Sequence, residues 1–149
     1  MGTLLHAAGL SFALVLAPFA ETPALAEETQ QAANEAHMNA SAEVVQSMVD
    51  SYRKGDFEGW LRHYSTDATI IINNVVLIGR AELRKVFNQV RSDAEAVGIQ
   101  LRQPEIVESG WTGDRIYLWT HEFTGENVSM VYTEYEVRNG QIVTVSARY

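Results

Sequence analysis

The last third of the chain constrains the fold more than any other part of it. Four segments rich in β-branched and aromatic residues, 99–111, 115–125, 128–138 and 141–149, are separated by Thr112-Gly113-Asp114, Gly125-Glu126 and Asn139-Gly140. Each separator suits a tight turn, and Asn-Gly is the strongest short hairpin signal of the three. The pattern predicts an antiparallel meander. Two-residue loops would pair Thr124 with Asn127 and Arg138 with Gln141, and alternation along the strands then sorts the side chains onto two faces. One face carries Tyr117, Trp119, His121, Phe123, Met130, Tyr132 and Glu134, continuing through Val143, Val145, Ala147 and Tyr149. The other carries Ile116, Leu118, Thr120, Glu122, Val131, Thr133, Tyr135, Val137 and Ile142. The first face has the larger side chains, which predicts that it points inward as core or cavity lining. The second, with its Thr, Ser and Val, suits a sheet surface or a flat dimer interface.

Ahead of the meander the period changes to that of helices. Val44, Val45, Met48, Val49 and Tyr52 recur at helical spacing, with Asn39 or Ser41 as candidate N-cap and Gly55 as the stop. Asp56 can cap a short second helix whose stripe is Phe57, Trp60, Leu61 and Tyr64. Two short strands flank the turn pair Asn73-Asn74, and a third helix from about Arg80 to Val97 ends at Gly98. The expected architecture is α+β: a curved antiparallel sheet with the helices closing its concave side.

The 149 residues fit a single domain with a real core. Residues 1–26 read as a secretory signal peptide: an apolar run ends in small residues, and Ala24-Leu25-Ala26 has the form that a signal peptidase cuts after. The expected location is therefore the periplasm or the medium. Residues 27–40 read as a flexible, solvated leader, and 41–149 as the domain. No second stretch is long enough to span a membrane, which predicts no membrane association after cleavage. The net charge of −8 has the wrong sign for a nucleic-acid partner. The absence of Cys leaves packing as the source of stability. The four His at 6, 37, 63 and 121 lack metal-ligand spacing, and no Gly-rich loop opens a helix, so neither a metal nor a cofactor is expected.

The stretches YRKGDFEGWLRHYSTDATI (52–70), LIGRAELRKVF (77–87) and VRNGQIVTVSARY (137–149) resemble the nuclear transport factor 2-like superfamily, in its SnoaL-like and ketosteroid isomerase-like branches. The resemblance covers Ser41 to Tyr149 and implies a cone-shaped α+β fold, in which three N-terminal helices close the concave face of a curved antiparallel sheet. It does not imply one reaction, because the superfamily contains isomerases, dehydratases, cyclases and members without a known reaction. Carried over residue by residue, the isomerase chemistry fails. Its carboxylate base falls on Ile72 and its oxyanion-stabilising tyrosine on Met48, with only Glu134 near the place of the third group.

On the face read as inward, the candidates for acid/base work are His121, Glu134 and Tyr132. Trp60, Tyr64, Trp119, Tyr117, Met130 and Phe87 are the expected ligand-contacting walls. His121 and Glu134 are four residues apart along the ladder, roughly 13 Å, too far for a hydrogen-bonded dyad but able to flank a ligand. His63 lies at the flank of the second helix's stripe and reads as a helix-edge residue. Two functions stay open: an exported protein that binds a hydrophobic small molecule without turning it over, and a cofactor-free acid/base enzyme of isomerase, dehydratase or cyclase type. For either, the outer sheet face predicts a homodimer.

Overall fold

The computed structural model describes residues 23–149. Most of the expected secretory segment, residues 1–22, lies outside the described residues. The order of elements is α1 (Pro23–Arg53), α2 (Phe57–Arg62), β1 (Tyr64–Ile72), β2 (Val75–Ile78), α3 (Gly79–Ala96), β3 (Glu105–Thr112), β4 (Arg115–Thr124), β5 (Asn127–Arg138) and β6 (Gln141–Arg148). They form a three-helix layer on a six-stranded curved sheet of order β2-β1-β6-β5-β4-β3. Every neighbouring pair is antiparallel except β1 and β6, which run parallel.

All three hairpins of the meander form at the expected turns. Thr112 pairs with Arg115, Thr124 with Asn127 and Arg138 with Gln141. Asn139 and Gly140 both have positive φ, at 50° and 74°, the requirement of the turn that matches strand twist.

The faces, however, are reversed in β4 and β5. Ile116, Leu118, Thr120, Val131, Thr133 and Val137 are buried against the helices. Tyr117, Trp119, His121, Met130, Tyr132 and Glu134 therefore lie on the convex side. The reason is volume. Tyr52, Phe57, Trp60, Tyr64 and Phe87 already fill the space under the helices with rings, so the concave sheet face accommodates compact β-branched and aliphatic residues. In β6 the simple alternation breaks as well. A bulge between Glu136 and Val137 sets Val137 opposite Ile142 and Tyr135 opposite Val145, so Ile142 and Val145 are both buried.

α1 also begins earlier than the periodicity suggests. It is continuous through residues 27–40, where a leader was expected, because Ala, Glu and Gln are strong helix formers even without an apolar face. Residues 25–37 of this helix are exposed, and packing starts near Ser41 and Val45. Fully buried Leu61 and Ile142 belong to the core cluster that joins the helices to the sheet, and Val131 is as deeply buried, each worth about 1.5–3 kcal/mol in burial. At the β2–α3 junction Gly79 has φ 85°, and a Cβ there would sit 2.5 Å from the Thr66 carbonyl oxygen, so only glycine fits. The Glu82 carboxylate accepts from the Ile78 N–H at 2.7 Å and closes the first turn of α3.

Candidate functional site in the concave face

Asp56 accepts a hydrogen bond from the Gly59 N–H at 2.8 Å and caps α2, which fixes the direction of the ring-bearing helix. Trp60 then packs between Phe57 (ring centroids 5.2 Å apart) and Tyr64 (5.1 Å, edge to face). Phe57 stacks on Phe87 of α3 at 4.0 Å, and Tyr52 of α1 meets Phe87 edge to face at 6.1 Å. Trp60 and Tyr64 are thus interior to the cluster, whereas Phe87, Phe57 and Tyr52 front a cavity of about 370 Å³. Its far wall is the segment between α3 and β3, including Ile99 and Leu101. Two contacts hold that segment: Leu101 bridges to Thr124, and the Gln103 amide donates to the Arg53 carbonyl.

Beside this aromatic cluster the concave face carries one acid, Glu122 of β4. It is more than half buried and forms no ion pair among the described residues. Burial pushes its carboxyl above the ordinary carboxylate range, and a hydrogen bond donated by the Tyr149 hydroxyl at 3.3 Å partly offsets that rise. Three tyrosines feel its charge. Burial, then the Glu122 charge, raises Tyr52 and Tyr135, and the same two causes push Tyr149 up to about 12. The arrangement is a carboxyl group ringed by phenols that all remain protonated at neutral pH. It can donate a hydrogen bond when neutral, accept one when ionised, and pass a proton in either direction.

The residues singled out on the ladder occupy the opposite side. Arg115 reaches both Glu134 and Glu136 at 3.5 Å, and Arg138 also contacts Glu136. Tyr132 stacks between Tyr117 (5.8 Å) and Trp119 (4.9 Å), and the Tyr117 hydroxyl donates to Glu108 at 2.8 Å. His121 is paired with Met130, as the hairpin register requires, on this convex face. His121, Glu134 and Tyr132 are consequently not brought to the concave cavity, nor are Trp119, Tyr117 and Met130. Of the expected residues Phe87 lines the cavity and Trp60 and Tyr64 back it. Sequence reasoning passed over Glu122, Tyr149, Tyr135 and Tyr52. The aliphatic run Ile116, Leu118, Val131, Val137 and Ile142 on Glu122's own face was the signal that could have found them.

A curved sheet roofed by three helices is the nuclear transport factor 2-like fold. Residues 45–145 match the model of the SnoaL-like domain, and the chain belongs to that family. Among solved structures it is similar to a polyketide cyclase candidate from Sinorhizobium meliloti, with 12% identity, TM-score 0.60 and coverage of 70% of this chain and 93% of that one. It is also similar to a nuclear transport factor 2-like protein of unknown function from Burkholderia pseudomallei (14% identity, TM-score 0.63, coverage 74% and 90%). A third likeness is to TerC co-crystallised with polyporic acid (16% identity, TM-score 0.58, coverage 72% and 89%). At these identities the likeness is one of fold. No curated protein matches the chain in sequence.

Proposed function

We propose that the protein binds a hydrophobic, polar-tipped small molecule in the cavity fronted by Tyr52, Phe57 and Phe87, with Glu122, reached past Tyr52, as its polar recognition group. The observation that carries this reading is Tyr52 itself, which lines the cavity of about 370 Å³ and is close enough to Glu122 to feel its charge, while Glu122 forms no ion pair among the described residues. A desolvated carboxyl costs folding free energy, and a ligand oxygen or N–H that satisfies it repays that cost on binding. The volume is at the lower end of small-molecule sites. The ligand of TerC shows that a related fold can hold a small molecule, and that likeness supports the reading.

A second reading is acid/base catalysis, and the raised carboxyl of Glu122 favours it specifically. A carboxyl whose pKa is raised by burial is a better proton donor at a given pH than an ordinary one, and it can protonate a carbonyl oxygen or, once ionised, take a proton beside one. Two solved neighbours described as polyketide cyclase candidates are in keeping with such a role. Glu122→Gln separates the two readings. In a binder it changes affinity alone; in an enzyme it abolishes turnover while binding persists. The test is calorimetric titration and a turnover assay on the same hydrophobic carbonyl compounds.

Export and self-association belong to the same proposal. The apolar run ending at Ala24-Leu25-Ala26 supports secretion into the periplasm or the medium, and amino-terminal sequencing of the secreted protein tests it by looking for Glu27 as first residue. The dimer expected through a Thr-rich face is now proposed through the convex aromatic face, because the Thr-rich face is the buried one. Val128 and Met130 are 56% and 49% exposed there beside Trp119 and Tyr132, an apolar patch with Arg115, Glu134 and Glu136 at its edge. Analytical ultracentrifugation checks it, and a monomer at high concentration rules it out.

A further inference from the structure

His63 and Ser47 form a pair away from the concave cavity, between α2 and α1. The ring nitrogen Nδ1 of His63 lies 2.8 Å from the Gly59 carbonyl oxygen, and Nε2 lies 2.9 Å from the Ser47 hydroxyl. A carbonyl oxygen only accepts, so Nδ1 carries a hydrogen; in the neutral ring Nε2 then presents a lone pair, to which Ser47 donates. Hydroxyl, base and a group that orients the base therefore stand in the order that activates a serine nucleophile, with the Gly59 carbonyl as orienter. His63 is half-buried and shielded on the helix side, while Ser47 is exposed. The serine stands on the open face of α1, among Glu43, Gln46, Asp50, Ser51 and Lys54. A simple clamp between two helices needs only a donor and an acceptor. Here the basic nitrogen is aimed at a hydroxyl that an outside molecule can reach.

We propose that Ser47 is a nucleophile towards small activated acyl esters, with His63 as its general base. In the acylation step Ser47 Oγ bonds to the ester carbonyl carbon while its proton passes to His63 Nε2. The bond from that carbon to the alcohol oxygen breaks, and the departing oxygen takes the proton back from the imidazolium. Water, giving its proton to the same nitrogen, then cleaves the acyl-serine to a carboxylic acid and restores the hydroxyl. Ester and water are consumed, acid and alcohol are formed, and neither metal nor oxidant is needed.

Ser51 supplies an internal control one turn further along α1, since its hydroxyl donates to the Ser47 carbonyl at 3.0 Å instead of to a base. The experiment treats the full chain with diisopropyl fluorophosphate, which loses fluoride to a serine oxygen and leaves a stable adduct, and follows the adduct at each residue by peptide mass spectrometry. The expected result is labelling at Ser47 at least about a hundredfold faster than at Ser51, the contribution of a positioned general base. His63→Gln, checked for an unchanged circular dichroism spectrum, should bring Ser47 down to the Ser51 rate. Equal labelling of Ser47 and Ser51 in the unmodified protein overturns the proposal without any variant, and so does an adduct that forms on His63 in place of Ser47.

Discussion

The two faces of the sheet are built from the same three hairpins, yet they follow opposite rules. The concave face is built mostly of buried Ile, Leu, Val and Thr, with Glu122 and its neighbouring tyrosines as its polar patch; the convex face carries the stacked rings and the ion pairs and is partly open. Large side chains are a guide to the interior only when nothing else fills it. Here the helices bring four aromatic rings, those of Tyr52, Phe57, Trp60 and Phe87, with Tyr64 at the start of β1 beside them, and the rest of the sheet supplies the small complement.

The contrast is sharpest at adjacent residues. Val131, 1% exposed, points inward, and Met130, 49% exposed, points outward. Val131→Asp should abolish cooperative unfolding, because an unpaired buried carboxylate costs several kcal/mol. Met130→Asp should leave the fold intact and turn a dimer into a monomer in sedimentation. If both variants fold, the assignment of faces is broken.

The same comparison holds for two tryptophans. Trp60→Ala should lower the unfolding free energy by about 3–5 kcal/mol in urea titration, the range for removing a buried ring. Trp119→Ala should cost much less in a monomeric background, such as that of Met130→Asp.

The acids differ in sign. A glutamate in the unfolded chain ionises near 4.5, and Glu122 in the folded protein ionises above that value. Below 4.5 the group is neutral in both states and its contribution to stability is fully present. As pH rises through the folded value that contribution is lost, because the unfolded chain gives up the proton more readily. Glu122→Gln should therefore gain stability relative to the unmodified protein as pH is raised from 4 to 8. Glu134→Gln, which removes an ion pair with Arg115, should lose up to about 1 kcal/mol at neutral pH. Urea titrations at several pH values check both. The smallest effect is expected for Tyr149→Phe. Loss of its hydrogen bond should push the Glu122 carboxyl still higher, visible as a later titration of its side-chain carbon resonance in NMR.

Much of the fold was legible in the sequence because turns are local. Gly113-Asp114, Gly125-Glu126 and Asn139-Gly140 fixed every hairpin pair by backbone conformation alone. The family resemblance was legible for a similar reason, through short runs around Gly55, Gly79 and Gly140 where the backbone tolerates few alternatives. Which face points inward is a question about the whole interior, decided by packing between segments far apart in the chain. That single inversion put His121, and not its neighbour Glu122, on the face read as inward. The bulge in β6 was illegible for a related reason, since it resolves a competition in which Ile142 and Val145 both seek the core. His63 was read as a flank residue of the second helix, whereas it is the C-cap that follows Arg62, and its partner Ser47 is sixteen residues away and carries no periodic signal.

The strand order has a bearing on when this molecule can exist as a folded object. β6 lies between β1 and β5, so without residues 141–148 the sheet is two unconnected pieces, β2-β1 and β5-β4-β3. A growing chain on the ribosome cannot assemble the sheet until its central strand has been synthesised, and Tyr149, which meets Glu122, follows that strand directly. Until then the earlier segments lack the surface on which they pack. Such a topology makes every other strand wait for β6, so the sheet closes in one late, cooperative step and not by stepwise addition of hairpins.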